Sequence, residues 1–150
     1  MNSHKSTIAD FSRVDSDLLV FIALGSNLTS SRYGDPRANI LKALERLTEF
    51  SSQPLAVSSL WQTDPVECPP ESPVFINAVV ALIAYPEFDP VSLLLKLQHI
   101  ETEFGRHRSG VNAPRPLDLD ILAFGSVCLE SDNLTLPHPR ATQRQFVLQP

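Results

Sequence analysis

The chain of 150 residues holds only two cysteines, five glycines, one methionine and one tryptophan. Cys68 and Cys128 belong to no CxxC pair and no metal-ligand spacing, which excludes a disulfide scaffold and a structural zinc site. They read as free thiols in a reducing compartment, with a single disulfide as the other option. No apolar run approaches the roughly 20 residues that carry a helix across a bilayer. Residues 1–17 lack the apolar core and small-residue cleavage site of a secretory signal. They are expected to be a disordered lead or linker, and a cytoplasmic location follows. Positive charge is scarce too: 12 Lys and Arg against 17 Asp and Glu leave a formal charge of −5. That balance argues against a broad nucleic-acid footprint. No internal repeat, Walker A loop or kinase glycine loop occurs, so the chain is neither a P-loop enzyme nor a protein kinase.

What the chain has instead is proline, thirteen in all, and proline punctuates it. A buried strand is expected over 18–24, closed by Gly25. After a polar loop, Asp35 caps a helix with Pro36 at its first position. Ile40, Leu41, Leu44, Leu47 and Phe50 form the apolar stripe of that helix. A second strand is expected over 55–62. The prolines of "TDPVECPPESP" (63–73) then exclude helix and central strand. A third strand spans 75–84. Asp89 and Pro90 repeat the cap-plus-proline signal, Leu93, Leu94, Leu97, Ile100 and Phe104 give the second helix its stripe, and Gly105 stops it. A loop over 106–114 leads to a fourth strand over 117–124, and 125–150 adds a hairpin-like piece. The order strand, helix, strand, strand, helix, strand is the ferredoxin-like βαββαβ pattern. It predicts an α+β fold, an antiparallel sheet with both helices on one face. One domain over 18–150 is expected. The chain stops at "VLQP" without a closing element, so the domain is expected to be truncated at its C-terminus.

Asp118 and Asp120 stand inside the apolar stretch "RPLDLDILAFG". Alternate residues of a strand share a face, so both carboxylates point one way while Leu117, Leu119 and Ile121 point the other. Their Cβ atoms would lie roughly 6.5–7 Å apart, two strand rises. That spacing suits one Mg²⁺ between carboxylates, or two metals about 3.5–4 Å apart. Mg²⁺ is commonly held by one or two carboxylates together with waters and substrate phosphates. The plain alternative is a pair of surface aspartates on a half-exposed strand. Arg106, Arg108 and Arg115 upstream, with Arg140 and Arg144 downstream, favour a polyphosphate site, because guanidinium groups clamp phosphate oxygens bidentately.

"FIALGSNL", "FINAVVAL", "GRHR" with "PRPLDLDILAFG", and "LPHPR…RQFVLQP" occur in this order. Together they resemble the 6-hydroxymethyl-7,8-dihydropterin pyrophosphokinases of folate synthesis, over nearly all of 18–150. The resemblance implies a ferredoxin-like fold and transfer of the pyrophosphoryl group of ATP to the pterin hydroxymethyl, releasing AMP. It implies ATP as co-substrate and two Mg²⁺ ions held by Asp118 and Asp120. It places Arg106 and Arg115 at the phosphates and Arg108 on a loop that clamps the nucleotide. Gln98 and Glu101 would touch the nucleotide, and His138 and Arg144 would reach phosphate or ribose. Thr63, Val66 and Asn77 would line the pterin pocket, with Phe75 and Phe146 on its two faces. Partners are then two small molecules, with no nucleic acid and no membrane. Fusion to other folate-pathway domains and a mitochondrial location belong to the eukaryotic members that the chain resembles.

Each residue has a plainer reading beside this one. Phe75 and Phe146 suit a core, Asn77 a hydrogen-bonded core amide, Gln98 and Glu101 a solvated helix face, His138 an exposed loop. Asn112 stands where many members carry Trp in the closing loop, and Asn133 and Pro139 stand where relatives offer Arg and Tyr. ATP contacts of different build are therefore expected. Two other functions remain open at this point. One is an inactive, truncated nucleotide- or pterin-binding scaffold. The other is an RNA-binding module of the same sheet topology, which would need stacking aromatics on the two central strands.

Overall fold

A computed structural model describes residues 15–63, 74–105 and 116–139. Asp15 caps a short 3-10 turn, Ser16–Leu18, through its carboxylate and the N–H of Asp17. Strand β1 (Leu19–Ser26) follows and runs through Gly25 without closing there. Helix α1 (Pro36–Leu47) starts where the local chemistry directs it. The Asp35 carboxylate accepts the Ala38 N–H at 2.9 Å, and Pro36 supplies the first helical φ. Helix α2 (Pro90–Glu103) has a reciprocal cap. Asp89 accepts the Ser92 N–H at 2.7 Å, and the Ser92 hydroxyl oxygen accepts the Asp89 N–H at 3.0 Å. Hydrogen bonds to its carboxyl, from the Ser92 N–H first and the Ser92 side chain second, hold Asp89 below its ordinary pKa. Gly105, at φ +87°, ends α2 in the left-handed region that a side chain would resist.

The buried face of α1 differs from the expected stripe. Ile40, Ala43 and Leu47 are fully buried, Leu44 is half-buried, and Leu41 is 48% exposed. One turn of 3.6 residues aligns 40, 43 and 47, which leaves Leu41 about 130° from the contact line. On α2, Leu93, Leu97, Ile100 and Phe104 are buried as expected, and Leu94 is half-buried. Arg46 of α1 bonds Glu103 of α2 and Glu49, tying the helices together. The Glu103 hydrogen bond is the chief reason its guanidinium pKa is raised.

The second strand is split. β2 (Ala56–Val57) and β3 (Trp61–Thr63) both pair antiparallel with β4 (Phe75–Ile83). Between them the Ser58 hydroxyl accepts the Val79 N–H at 2.9 Å, so a side chain takes a ladder position and the pairing breaks. β4 pairs with β1, and β1 with β5 (Asp118–Phe124), all antiparallel. The sheet order β2-β4-β1-β5, with β3 beside β4, is the ferredoxin-like order, and the helices cover one face. Val20, Ile22 and Leu24 of β1, Ala78, Val80 and Leu82 of β4, and Leu119 and Ile121 of β5 point at the helices and form the core. The opposite face belongs to the odd positions of β1 and β4 and the even positions at the start of β5.

One irregularity shapes the β5 edge. Phe21 pairs with Ala123 and Ile22 with Ile121, so Leu122 is a bulge residue. Ile121 and Leu122 are consequently both buried. The Leu122 carbonyl accepts the His138 N–H at 2.8 Å. This bond lays the segment after the hairpin β6 (Leu129–Glu130) and β7 (Thr135–Leu136) alongside β5.

Candidate functional site

Cross-strand register assembles the site. Trp61 pairs with Asn77, Asn77 with Gly25, and Gly25 with Asp118, one row across four strands. The next row toward the sheet centre contains Val79, Ala23 and Asp120. In the other direction Thr63 pairs with Phe75. Directly paired residues share a face. Thr63, Phe75, Asn77, Asp118 and Asp120 therefore all stand on the helix-free face, at the end where β1 leaves the sheet.

At the centre of this group is Gly25, which the sequence alone marks only as a strand end. A Cβ there would lie 3.2 Å from Asn77 Oδ1, 3.5 Å from Phe75 Cδ1 and 3.9 Å from the Asp118 Cβ. The missing side chain leaves a hollow with an amide oxygen, an aromatic edge and a carboxylate-bearing carbon around it. Asn77 is only 3% exposed, and its Nδ2 donates to Thr63 Oγ1 at 2.6 Å. That bond fixes the amide plane and presents Oδ1 toward Gly25.

Asp118 and Asp120 are half-buried, alternating with Leu117, Leu119 and Ile121, each 3% exposed or less. The pair thus meets the expectation of a shared, accessible face. Asp120 also lines a cleft of about 240 Å³ on the β5 edge, with Leu94, Ile121, Asn133, Thr135 and His138 in its wall. The structure so brings Asp120 and His138 into one cleft, and Asn133 and Pro139 with them. Gln98 and Glu101 are not in that wall. Gln98 is half-buried, one turn along α2 from Leu94, and Glu101 is 6% exposed, with Oε2 accepting the Leu119 N–H at 3.0 Å. Arg106, Arg108, Arg115, Val66, Arg144 and Phe146 lie outside the described residues, as does Cys68. Cys128 is a free, exposed thiol.

The donor set bears on a divalent cation. Among the described residues no group of three or more His, Cys, Asp or Glu side chains converges, which excludes an all-protein cage there. Two carboxylates on one accessible face, beside a glycine-lined hollow, fit an ion that takes the rest of its oxygen ligands from water and substrate. The arrangement fits Mg²⁺ better than zinc, whose structural sites are closed by four protein ligands.

A second polar cluster, not foreseen from the sequence, anchors the start of β5. Asn39 of α1 is fully buried; its Nδ2 donates to the Leu28 carbonyl at 3.0 Å and the Pro116 carbonyl at 3.2 Å. The Ser26 hydroxyl donates to the same Pro116 carbonyl, and the Ser30 hydroxyl donates to Asn39 Oδ1 at 2.8 Å. The available signal was Asn39 itself, a polar residue beside Ile40 on the buried side of a helix.

A family model described as 7,8-dihydro-6-hydroxymethylpterin-pyrophosphokinase (HPPK) matches residues 21–150. The chain is 44% identical over 134 residues to a 2-amino-4-hydroxy-6-hydroxymethyldihydropteridine pyrophosphokinase of Pseudomonas aeruginosa, covering 87% of this chain and 76% of that protein. It is 36% identical over 134 residues to the Haemophilus influenzae protein of the same name, covering 89% and 79%. It is 39% identical over 132 residues to a folate synthesis bifunctional protein of Arabidopsis thaliana, covering 87% of this chain and 26% of that one.

Proposed function

The chain belongs to the 7,8-dihydro-6-hydroxymethylpterin-pyrophosphokinase family, and we propose that its hollow and its cleft hold the two substrates of that reaction side by side. The pyrophosphoryl group of ATP passes to the hydroxymethyl oxygen of 6-hydroxymethyl-7,8-dihydropterin, and AMP leaves. The observation that carries the residue assignment is the row Asn77, Gly25, Asp118, which sets an amide, an open floor and a carboxylate next to one another.

The pterin occupies the hollow over Gly25. Asn77 reads its amide-like edge, Thr63 holds Asn77 in place, and Phe75 supplies one stacking surface. Val66 and Phe146 are assigned to the pterin by the family resemblance. ATP occupies the cleft bordered by Leu94, Ile121 and His138, with its phosphates directed at Asp120. Gln98 contacts the nucleotide from α2, Arg106 and Arg115 bind its phosphates, Arg108 clamps it, and His138 and Arg144 bind phosphate or ribose. Asp118 and Asp120 hold Mg²⁺, two ions in this reading. When bound, Mg²⁺ would supply neutralisation of phosphate charge and Lewis-acid polarisation at the phosphoryl oxygens. Phosphoryl chemistry asks the protein mainly for alignment and charge compensation, and no covalent nucleophile is needed.

Asp118 and Asp120 occupy the face on which an RNA strand would stack, which disfavours the RNA-binding reading. No helix among the described residues is long and apolar enough to cross a membrane. We place the protein in the cytoplasm or, for a eukaryotic source, the mitochondrion. Fusion to further folate-pathway domains fits the bifunctional plant relative, of which this chain spans about a quarter.

The test is product analysis. The protein is mixed with Mg·ATP and 6-hydroxymethyl-7,8-dihydropterin, and the nucleotide product is identified. AMP with pterin diphosphate is expected. ADP would make it an ordinary kinase, and binding of both substrates without product would make it a scaffold; either outcome defeats the reading.

A further inference from the structure

β5 carries the aspartate pair at an edge of the sheet. Among the described residues it pairs with β1 on one side only, so its outward N–H groups have no strand there to bond. The N–H of Leu119, the residue between the two aspartates, is one of these. It donates to Oε2 of Glu101 at 3.0 Å, and Glu101, on α2, is itself 6% exposed. A carboxylate taken so far out of water is costly unless it is well bonded. A hydrogen bond from a backbone N–H to a charged oxygen is about twice as strong as a neutral one. The N–H that Glu101 grips belongs to the peptide joining Asp118 to Leu119. Fixing that peptide plane fixes the direction in which the Asp118 side chain leaves the strand and the pitch of the strand toward Asp120. Three residues earlier the chain is held again, at the Pro116 carbonyl, by Asn39 of α1 and Ser26 of β1. The stretch that bears the carboxylates is thereby tethered by a buried side chain from each helix.

We propose that Glu101 is a positioning residue of the pyrophosphoryl transfer: its buried carboxylate sets the Asp118–Leu119 peptide so that the two aspartates hold the metal in register. The proposal rests on the function given above and assigns Glu101 to the metal side of the site, away from the nucleotide. Partners that orient metal ligands typically change metal affinity or activity about 10–100-fold when removed.

The comparison uses Glu101→Met, similar in length but without an oxygen, and Glu101→Gln, which keeps one. Amide exchange at Leu119 is read by NMR on the metal-free protein, and turnover is measured as a function of Mg²⁺ and of ATP. In Glu101→Met the Leu119 amide loses protection, turnover at saturating ATP falls about 10–100-fold, and half-maximal activity needs more Mg²⁺. Glu101→Gln keeps most of the protection and most of the turnover. Three results overturn the proposal: unchanged exchange at Leu119 in Glu101→Met; a rise in the KM for ATP with kcat intact, which is the mark of a nucleotide contact; or Glu101→Gln falling as far as Glu101→Met. Should Glu101→Met not fold, Glu101→Gln alone decides, since loss of Leu119 protection there also overturns it. A wild-type protein that forms no AMP defeats the functional reading instead, and the exchange measurement, which needs no substrate, still judges the clamp.

Discussion

Replacing Gly25 by alanine separates binding from folding with a single methyl group. Gly25 lies in β1, and its backbone is outside the left-handed region, so alanine brings no backbone strain. Removing glycine's freedom from the unfolded chain contributes about 0.4–1 kcal/mol in favour of folding. Against this, the new Cβ meets Asn77 Oδ1 at 3.2 Å and Phe75 Cδ1 at 3.5 Å. The amide must yield by a few tenths of an ångström, and its 2.6 Å bond to Thr63 resists the movement. The two effects nearly cancel in stability. They do not cancel for a ligand seated over Gly25, which meets the methyl directly and meets Asn77 out of place. An impaired hydrogen bond with imperfect desolvation costs about 1–3 kcal/mol. At 1.4 kcal/mol per decade that is roughly 5- to 150-fold in Kd. Calorimetric titration with the pterin, in the presence of Mg²⁺ and a non-hydrolysable ATP analogue, is the assay, alongside a thermal melt. The expected outcome is an unchanged or slightly raised Tm, a pterin Kd at least severalfold weaker, and an unchanged Kd for the nucleotide alone. Wild-type pterin affinity in Gly25→Ala would show that the hollow is not the pterin site. Equal loss of nucleotide affinity would show that the hollow and the cleft are not separate.

Three further substitutions probe other levels. Asp120→Ala, at the wall of the cleft, abolishes turnover across all Mg²⁺ concentrations while leaving the melt close to wild type; near-normal rates at any Mg²⁺ level contradict its role. Leu97→Ala empties a fully buried position of α2 facing the sheet and lowers stability by about 2–5 kcal/mol in urea unfolding, with the m-value unchanged. Asp89→Ala removes the cap of α2. Because the folded-state pKa of Asp89 is lowered, its contribution is present above the ordinary value of 3.8 and is lost as pH falls through the folded-state value. The Tm gap between wild type and Asp89→Ala is therefore full at pH 7 and narrows in acid below pH 3.8; a gap that persists there counts against the cap as its source.

The elements that the sequence made legible are those whose cause is local. Asp35-Pro36 and Asp89-Pro90 start helices because a carboxylate two or three residues ahead of free N–H groups and a preset φ act within one turn. The order of strands and helices followed from periodicity, and with it the sheet order. What failed depends on contacts between distant residues. The break in the second strand comes from Ser58 bonding Val79, 21 positions away. The exposure of Leu41 follows from which line of α1 meets the sheet, and apolarity alone does not report that. The bulge at Leu122 follows from the pairing of β5 with β1 and has no glycine or proline to announce it.

The site divides along the same line. The shared face of Asp118 and Asp120 could be read because alternation along a strand is a local rule. Gly25 could not, because a glycine after an apolar run reads as a terminator, and its value as an empty floor exists only once β4 and β5 flank it. Glu101 lies between these cases. Charge on a helix suggests solvent, yet Glu101 stands four residues after Leu97 and three before Phe104, both buried, so its position already lay on the packed side of α2. A carboxylate on a buried stripe must find donors, and the only abundant unpaired donors near a helix that covers a sheet edge are that edge's own N–H groups. The sequence reading of Glu101 as a solvated helix face is therefore wrong on spacing alone, since it is 6% exposed; only the sheet order, with β5 outermost among the described strands, says that the protein it bonds is the strand carrying the aspartates.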